Sequence, residues 1–345
     1  MIDHSRLEAA WWASFIGDAL AMPVHWYYTR SRIAVDYGEI DHYMAPHNPH
    51  PDSILWRSKY QHTDATDDIL HDQARFWGGP RGIHYHQFLH AGENTLNIRL
   101  AALLAESLVE CGQYDRDDFA RRYLDFMLTP GTHGDTYVEE YHRAFFRHYA
   151  EGRELGDCGI EDIHIGGLAT LTPLILFHAA NRHAMHEAVA SHIELTHKGP
   201  VAAEAAKVFA DLMYFLLQGV PVDDAIERAG GAAHTALTWP YRSWVRTRPD
   251  DEVVGAQFSP ACYLEDSLPA TLFLAVKYGS DLRAGLMSNA RLGGDNCHRG
   301  VVLGALLGAQ GGMHAVPQAW INGLHEHDRL KGLLEKLSAL ALKGG

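Results

Sequence analysis

Apolar residues recur at three- and four-residue spacing along most of the chain, and alternating strand patterns are missing. Residues 4 to 20 carry Leu7, Trp11, Phe15 and Ala19 at four-residue intervals and predict a helix that Pro23 ends. Further helices are predicted over about 95 to 111, 115 to 128 and 136 to 150, and then from the turn at Ile165–Leu174 to near Ala180. Residues 184 to 196 and 200 to 217 form a helical pair, with Pro200 at a first helical position, and a shorter helix covers about 221 to 233. Helices resume at about 260 to 278, 281 to 290, 317 to 324 and 327 to 342. Two stretches without clear periodicity, 27 to 59 and 235 to 258, read as long functional loops. Between them, Thr66 is a plausible N-cap for a helix to about Trp77, with Asp67 and Asp68 in its first turn. The pattern predicts an all-α fold in a single domain spanning residues 1 to 345.

The stretch from Leu292 to Gly312 differs from the rest. Gly300, Gly304 and Gly308 recur every four residues, so one side of this helix has almost no side chains and another backbone can approach closely. Each glycine costs a helix interior about 1 kcal/mol relative to alanine, which points to tight packing. The run is too short and too interrupted to cross a bilayer. Its first turn carries Asp295, Cys297 and His298, which predicts a buried central helix with its N-terminus in a pocket.

Composition narrows the function. The formal net charge is −14, which argues against nucleic acid and anionic membranes as partners. Cys111, Cys158, Cys262 and Cys297 are scattered with no CxxC pair, so a reducing cytoplasmic setting fits best. The N-terminal residues have acidic and polar positions where a signal peptide needs a basic region and an apolar core.

Asp67, Asp68 and Asp295 are the candidate chemistry. If the two acidic helix starts face a common cavity, three carboxylates converge, and burying them requires a cation. An oxygen-rich site suits Mg²⁺ or Mn²⁺, whereas His and Cys shift the preference to softer ions. His133, Asp135 and Tyr137 could line a pocket, although a capped helix with an aromatic face explains them equally.

Four motifs carry a resemblance: GDALAMPV at 17 to 24, TDD at 66 to 68, LTHKGPVAAEAA at 195 to 206, and LGGDNCHRGVVLGALLGA at 292 to 309. In this order, and with DSLPATLF before the GGD box, the chain resembles the ADP-ribosylglycohydrolase family from about residue 5 to 325. That family includes the enzyme that reactivates ADP-ribosylated dinitrogenase reductase and a lens crystallin. The resemblance implies a compact orthogonal helical bundle with one or two Mg²⁺ or Mn²⁺ ions. It assigns Thr66, Asp67, Asp68 and Asp295 as metal ligands, and a small-molecule or ADP-ribosylated protein as substrate.

The chain departs from the family's GGDTDT box: Cys297 stands where the bridging Asp belongs and His298 where the last Thr belongs. His25 replaces a Glu, and Thr170 replaces an Arg. Three outcomes compete. The pocket holds one hard ion through Thr66, Asp67, Asp68 and Asp295; it selects Zn²⁺ with Cys297 and His298 as ligands; or it is metal-free, with His25, His298 or Cys297 as acid, base or nucleophile.

The leading expectation is hydrolysis of a glycosidic bond at the anomeric carbon of a ribose, with Asp67 and Asp68 catalytic through the ion they hold and His25 as proton carrier. Gly166 and Gly167 would approach a phosphate, and Tyr137 and loop tryptophans would stack on a base. His197, in the LTHKG segment, completes the candidate substrate-binding set. The alternatives are a non-catalytic nucleotide-binding protein and a changed enzyme that uses Cys297 and His298 on another substrate.

Overall fold

The computed structural model describes residues 2–230, 234–279 and 281–341, and the chain is all-α. Helix α1 (His4–Ala21) is buried from Ala9 to Ala21 and runs into a 3-10 turn at Met22–Val24. It begins as sequence demands: the Asp3 carboxylate caps Ser5 N at 2.9 Å. The long segment 27 to 59 contains a helix, α2 (Arg30–Tyr37), and a 3-10 turn at Leu55–Arg57. Arg30 anchors α2 to the rest of the molecule by donating to the Leu292 carbonyl at 3.1 Å and to that of Val254.

The helix expected from Thr66 to Trp77 is instead a turn followed by a 3-10 stretch, His71–Phe76. Asp67 folds back to accept N–H bonds from Thr63 and Asp64, which are local bonds that compete with a helix. Helices α3 (Leu96–Cys111), α4 (Arg116–Leu128) and α5 (Glu140–Ala150) follow. Helix α5 starts later than its periodicity predicts because Thr136 turns back to bond the Tyr85 carbonyl at 2.8 Å.

The short helices α6 (Gly166–Ala169) and α7 (Thr172–Phe177) lead to α8 (Arg182–Ile193) and α9 (Pro200–Leu217). A two-residue parallel pairing joins Ile160–Glu161 to His197–Lys198. Helix α10 (Val222–Arg228) ends before residues 231 to 233 of the expected span, which lie outside the described residues. The stretch 235 to 258 holds α11 (Tyr241–Thr247) and α12 (Asp250–Val253), so it too is more ordered than its sequence suggests.

The remaining helices are α13 (Leu264–Tyr278), α14 (Leu282–Leu292), α15 (Asn296–Gly311), α16 (Gln318–Gly323) and α17 (His327–Ala341), with residue 342 outside the described part. Helix α15 is the centre, buried along all but Gln310. It lies against α1 backbone to backbone: a methyl group on Gly300, Gly304 or Gly308 would run into the carbonyl of Gly17, Ala13 or Ala9 in turn. The glycine spacing therefore sets the distance between the two helices that carry the site. Among the described residues no helix is long and apolar enough to cross a membrane.

Candidate active site

The turn into α15 is built from two glycines at φ 64°, Gly293 and Gly294. Trp26 N donates to the Gly294 carbonyl at 2.8 Å, and Gly294 N donates to that of Tyr27 at 2.7 Å, so the segment leaving α1 is clamped to the turn. Arg299, fully buried, holds it from behind through Asn289 Oδ1 at 2.7 Å and the Gly293 carbonyl at 2.8 Å. This clamp delivers His25 to Asp295.

Six buried side chains form a string around that contact. Asp295 lies 2.9 Å from His25 Nε2 on one side and 2.9 Å from His298 Nδ1 on the other. His25 Nδ1 is 2.7 Å from His86 Nε2, and His86 Nδ1 is 2.7 Å from Asp135. At the other end His298 Nε2 is 3.5 Å from Glu139 Oε1 and 2.6 Å from the Asn97 amide. All six are at least nine-tenths buried.

The three contacts from Asp135 through His86 and His25 to Asp295 need three protons, one more than two neutral imidazoles supply. Burial holds the His25 pKa well below its ordinary value. For His298, burial opposes protonation, but Asp295 and Glu139 outweigh it and push the pKa up to about 9. Burial raises Glu139 to about 7 despite the neighbouring His298 charge. The His298 imidazolium thus lies between Asp295 and Glu139, while Asp67 and Asp68, the carboxylates expected to converge on Asp295 around a cation, are not in this group.

Glu139 connects this string to the outside. It lines a cavity of about 460 Å³ together with Trp26, Tyr85, Tyr137, Tyr141 and His164. Trp26 stacks on His25 with centroids 3.8 Å apart, and so forms a floor that covers the imidazole. His25, 1% exposed, is behind that floor and orients Asp295 instead of facing the cavity.

A family model described as ADP-ribosylglycohydrolase matches residues 2–344. The chain belongs to the ADP-ribosylglycohydrolase family. Comparison with curated proteins gives no match. Among solved structures, a chain of an "ADP-ribosylglycohydrolase-related protein complex" is similar, with 24% identity over 98% of each chain and a TM-score of 0.67, a likeness of fold. The family consists of glycosidic-bond hydrolases acting on ADP-ribose-type substrates, generally with a divalent metal.

Not every residue expected to serve an ADP-ribosylglycohydrolase site converges here. Thr66 bonds Asp64 Oδ1 at 2.7 Å through its N–H, and Asp68 accepts from Tyr60 Oη at 3.2 Å and His71 N at 3.0 Å. The groupings compact enough to hold an ion, among the described residues, are His25 with Asp295 and His298, and His164 with Cys262 and Asp295; neither includes Asp67 or Asp68. Cys297 points away, its Sγ 3.7 Å from the Asp18 carbonyl oxygen.

This donor set does not fit a pair of hard ions. Two imidazoles and one carboxylate suit Zn²⁺ better than Mg²⁺ or Mn²⁺, and the nitrogens that would bind it are already engaged with Asp295.

Asp135 and Tyr137 are at the site, the first under His86 and the second in the cavity wall. His133 is turned aside to the Ile69 carbonyl at 2.9 Å. Gly166 and Gly167 do not offer free N–H groups to a phosphate: Gly166 N donates to His164 Nδ1 at 3.2 Å and Gly167 N to the His164 carbonyl at 3.2 Å. With His197 they line a separate, narrow cavity bounded by Asn97, Tyr141 and His142. Sequence reasoning missed Glu139 and His86. Glu139 sits at the N-cap of α5, where a carboxylate reads as ordinary dipole compensation, and His86 lies in an aperiodic segment.

Proposed function

We propose that this protein hydrolyses an N-glycosidic bond at the anomeric carbon of a ribosyl group, in an ADP-ribosylated or related nucleotide-like substrate, with Glu139 as the general base. The observation that carries the reading is the position of Glu139: it lines the cavity while its carboxylate is held from within by His298, itself bonded to Asp295. A base whose pKa lies near neutrality is well matched to taking a proton from water.

Water attacks the anomeric carbon as the bond to the leaving nitrogen breaks; the proton of the water passes to Glu139, and the bond's electron pair leaves with the nitrogen. The transition state resembles an oxocarbenium cation. Asp162 and Asp52, in the same cavity wall, stabilise that developing positive charge. His298 holds Glu139 and Asp295 in place, His25 fixes Asp295, and the His86–Asp135 pair fixes His25.

The test is hydrolysis of ADP-ribosyl-arginine, whose bond is N-glycosidic, with nicotinamide nucleosides alongside and the O-linked ADP-ribosyl-serine as the contrast. Glu139→Gln is expected to lower kcat about 100-fold, within the usual range for loss of a general base, with the melting temperature retained. Unchanged kcat in that variant would overturn the assignment. Turnover is expected to persist in excess chelator and to be lost in His298→Ala; the opposite pair of results restores a metal to the reaction.

A further inference from the structure

Three segments far apart in sequence are stitched together at the cavity wall. Ile165 N donates to the Cys262 carbonyl and Leu264 N to that of Ile163, both at 2.8 Å, which draws His164 and Cys262 together. Asp295 N donates to the Pro260 carbonyl, also at 2.8 Å, so the start of α15 is tied to the same stretch of chain. One donor atom from each of His164, Cys262 and Asp295 lies within 4.8 Å of the other two, and His164 Nδ1 is 3.9 Å from Asp295 Oδ2. Tetrahedral bonds to zinc place neighbouring ligand atoms about 3.3–3.8 Å apart, so a small closing of the side chains completes the arrangement.

This trio differs from His25, Asp295 and His298 in what is left free. There both imidazoles are bonded to Asp295, whereas His164 and Cys262 line the cavity. His164 Nδ1 accepts a long bond, 3.2 Å, from the local Gly166 N–H. Burial lowers the His164 pKa to about 4, so the ring is neutral at pH 7 and has a lone pair to give.

The charges suit a dication. Burial first, and then the Asp295, Glu139 and Asp162 carboxylates, push the Cys262 thiol up, so it keeps its proton until an ion displaces it. Those three carboxylates face two cations, the His298 imidazolium and Arg299, which leaves one net negative charge around the trio. A dication that binds as the thiol loses its proton makes the group neutral. One nitrogen, one sulfur and one oxygen favour Zn²⁺ or a similarly soft ion over Mg²⁺ or Mn²⁺, and three protein ligands leave the fourth position to the cavity.

We propose that His164, Cys262 and Asp295 bind a zinc-class ion in the cavity wall, and that the bound ion inhibits turnover. The binding stands on the geometry; the inhibition rests on the glycosidic-bond reading of the same cavity. On binding, the thiol proton passes to solvent and a sulfur lone pair goes to the ion, with no change of oxidation state. The ion then opposes, by like charge, the oxocarbenium-like transition state, and it competes for the carboxylate that holds His25 and His298.

The test titrates the chelator-stripped full chain with Co²⁺ and then Zn²⁺. One equivalent of Co²⁺ is expected to give a thiolate-to-metal charge-transfer band that Zn²⁺ displaces, and Cys262→Ser is expected to abolish the band with the melting temperature retained. Cys262→Ala repeats the comparison if the serine variant unfolds. Zn²⁺ is expected to inhibit hydrolysis reversibly, with chelator restoring it, while Cys262→Ser keeps the uninhibited kcat and needs at least about tenfold more Zn²⁺. A band that is absent, or that survives in the Cys262 variants, means binding at surface imidazoles only and overturns the proposal. Zn²⁺ bound through Cys262 with kcat unchanged or raised overturns the inhibitory role. A band lost in Cys262→Ser in a protein that hydrolyses none of the substrates sustains the ion site and sinks the catalytic reading, and the inhibition with it, so the two failures are distinguishable.

Discussion

Cys297 is sealed between α15 and α1, and burial raises its pKa well above the usual thiol value, so no thiolate is present at neutral pH. Cys297→Ala is therefore expected to keep kcat within about twofold of wild type and to lose about 1–2 kcal/mol of stability from the void, read by denaturant titration alongside kinetics. A dead but folded variant would restore the thiol as a nucleophile. Glu139 and His298 give a second expectation, in pH. Glu139, raised by burial to about 7, must be ionised to act as a base, so kcat falls as pH drops below that value. His298, raised to about 9 by Asp295 and Glu139 against the cost of burial, must keep its proton, so kcat falls again above about 9. The two groups are in contact, so the limbs of the bell belong to the pair. A profile flat from pH 6 to 8 excludes Glu139 as the base. At this scale the GGD box made Asp295 and His298 legible, because three adjacent unusual residues at a helix start stand out. Glu139 and His86 were not, since what makes them functional is a partner 159 residues away in one case and 61 in the other.

Helix α15 is the element whose role follows most directly from its residues. Gly304→Ala would drive a methyl group into the Ala13 carbonyl on α1, where backbone and not a flexible side chain must give way. The expected cost is about 3 kcal/mol or more, at the upper end for overpacking, with loss of soluble protein or a large fall in melting temperature as the readout. Gly332→Ala in α17, where an added methyl meets nothing within 4 Å, is the control and should be neutral or slightly stabilising. Long periodic helices such as α1, α3 and α9 are close to their expected spans because a 3.6-residue apolar stripe is a local signal. Helices α2, α11 and α12 were read as loop because they are short and polar. Their order comes from distant partners, as when Arg30 reaches the Leu292 carbonyl or Asp250 bonds Lys277 and Tyr278 at 2.5 Å each. The Thr66–Asp68 segment failed in the opposite direction: a good capping sequence lost to a tighter local turn.

Across the whole molecule, buried histidines set the response to acid. Burial lowers His50 to about 4 and His192 to about 3, and holds His84, His142 and His197 well below the ordinary value. Each is neutral in the fold and free to protonate on unfolding. Their contribution is fully present above the unfolded pKa of about 6.5 and is lost as pH falls below it. His25, His133 and His164 are lowered by burial in the same way. One unit below, each such ring costs roughly 1 kcal/mol. Glu139 and His298 act in the other direction, because both bind protons more tightly in the fold than in the unfolded chain, but they are two groups against the more numerous neutral rings. The melting temperature is therefore expected to fall by several degrees between about pH 7.5 and 5.5, measurable by calorimetry in buffers matched for ionic strength. A melting temperature that held steady or rose over that interval would mean that these rings are already protonated in the fold, against the burial that holds them neutral.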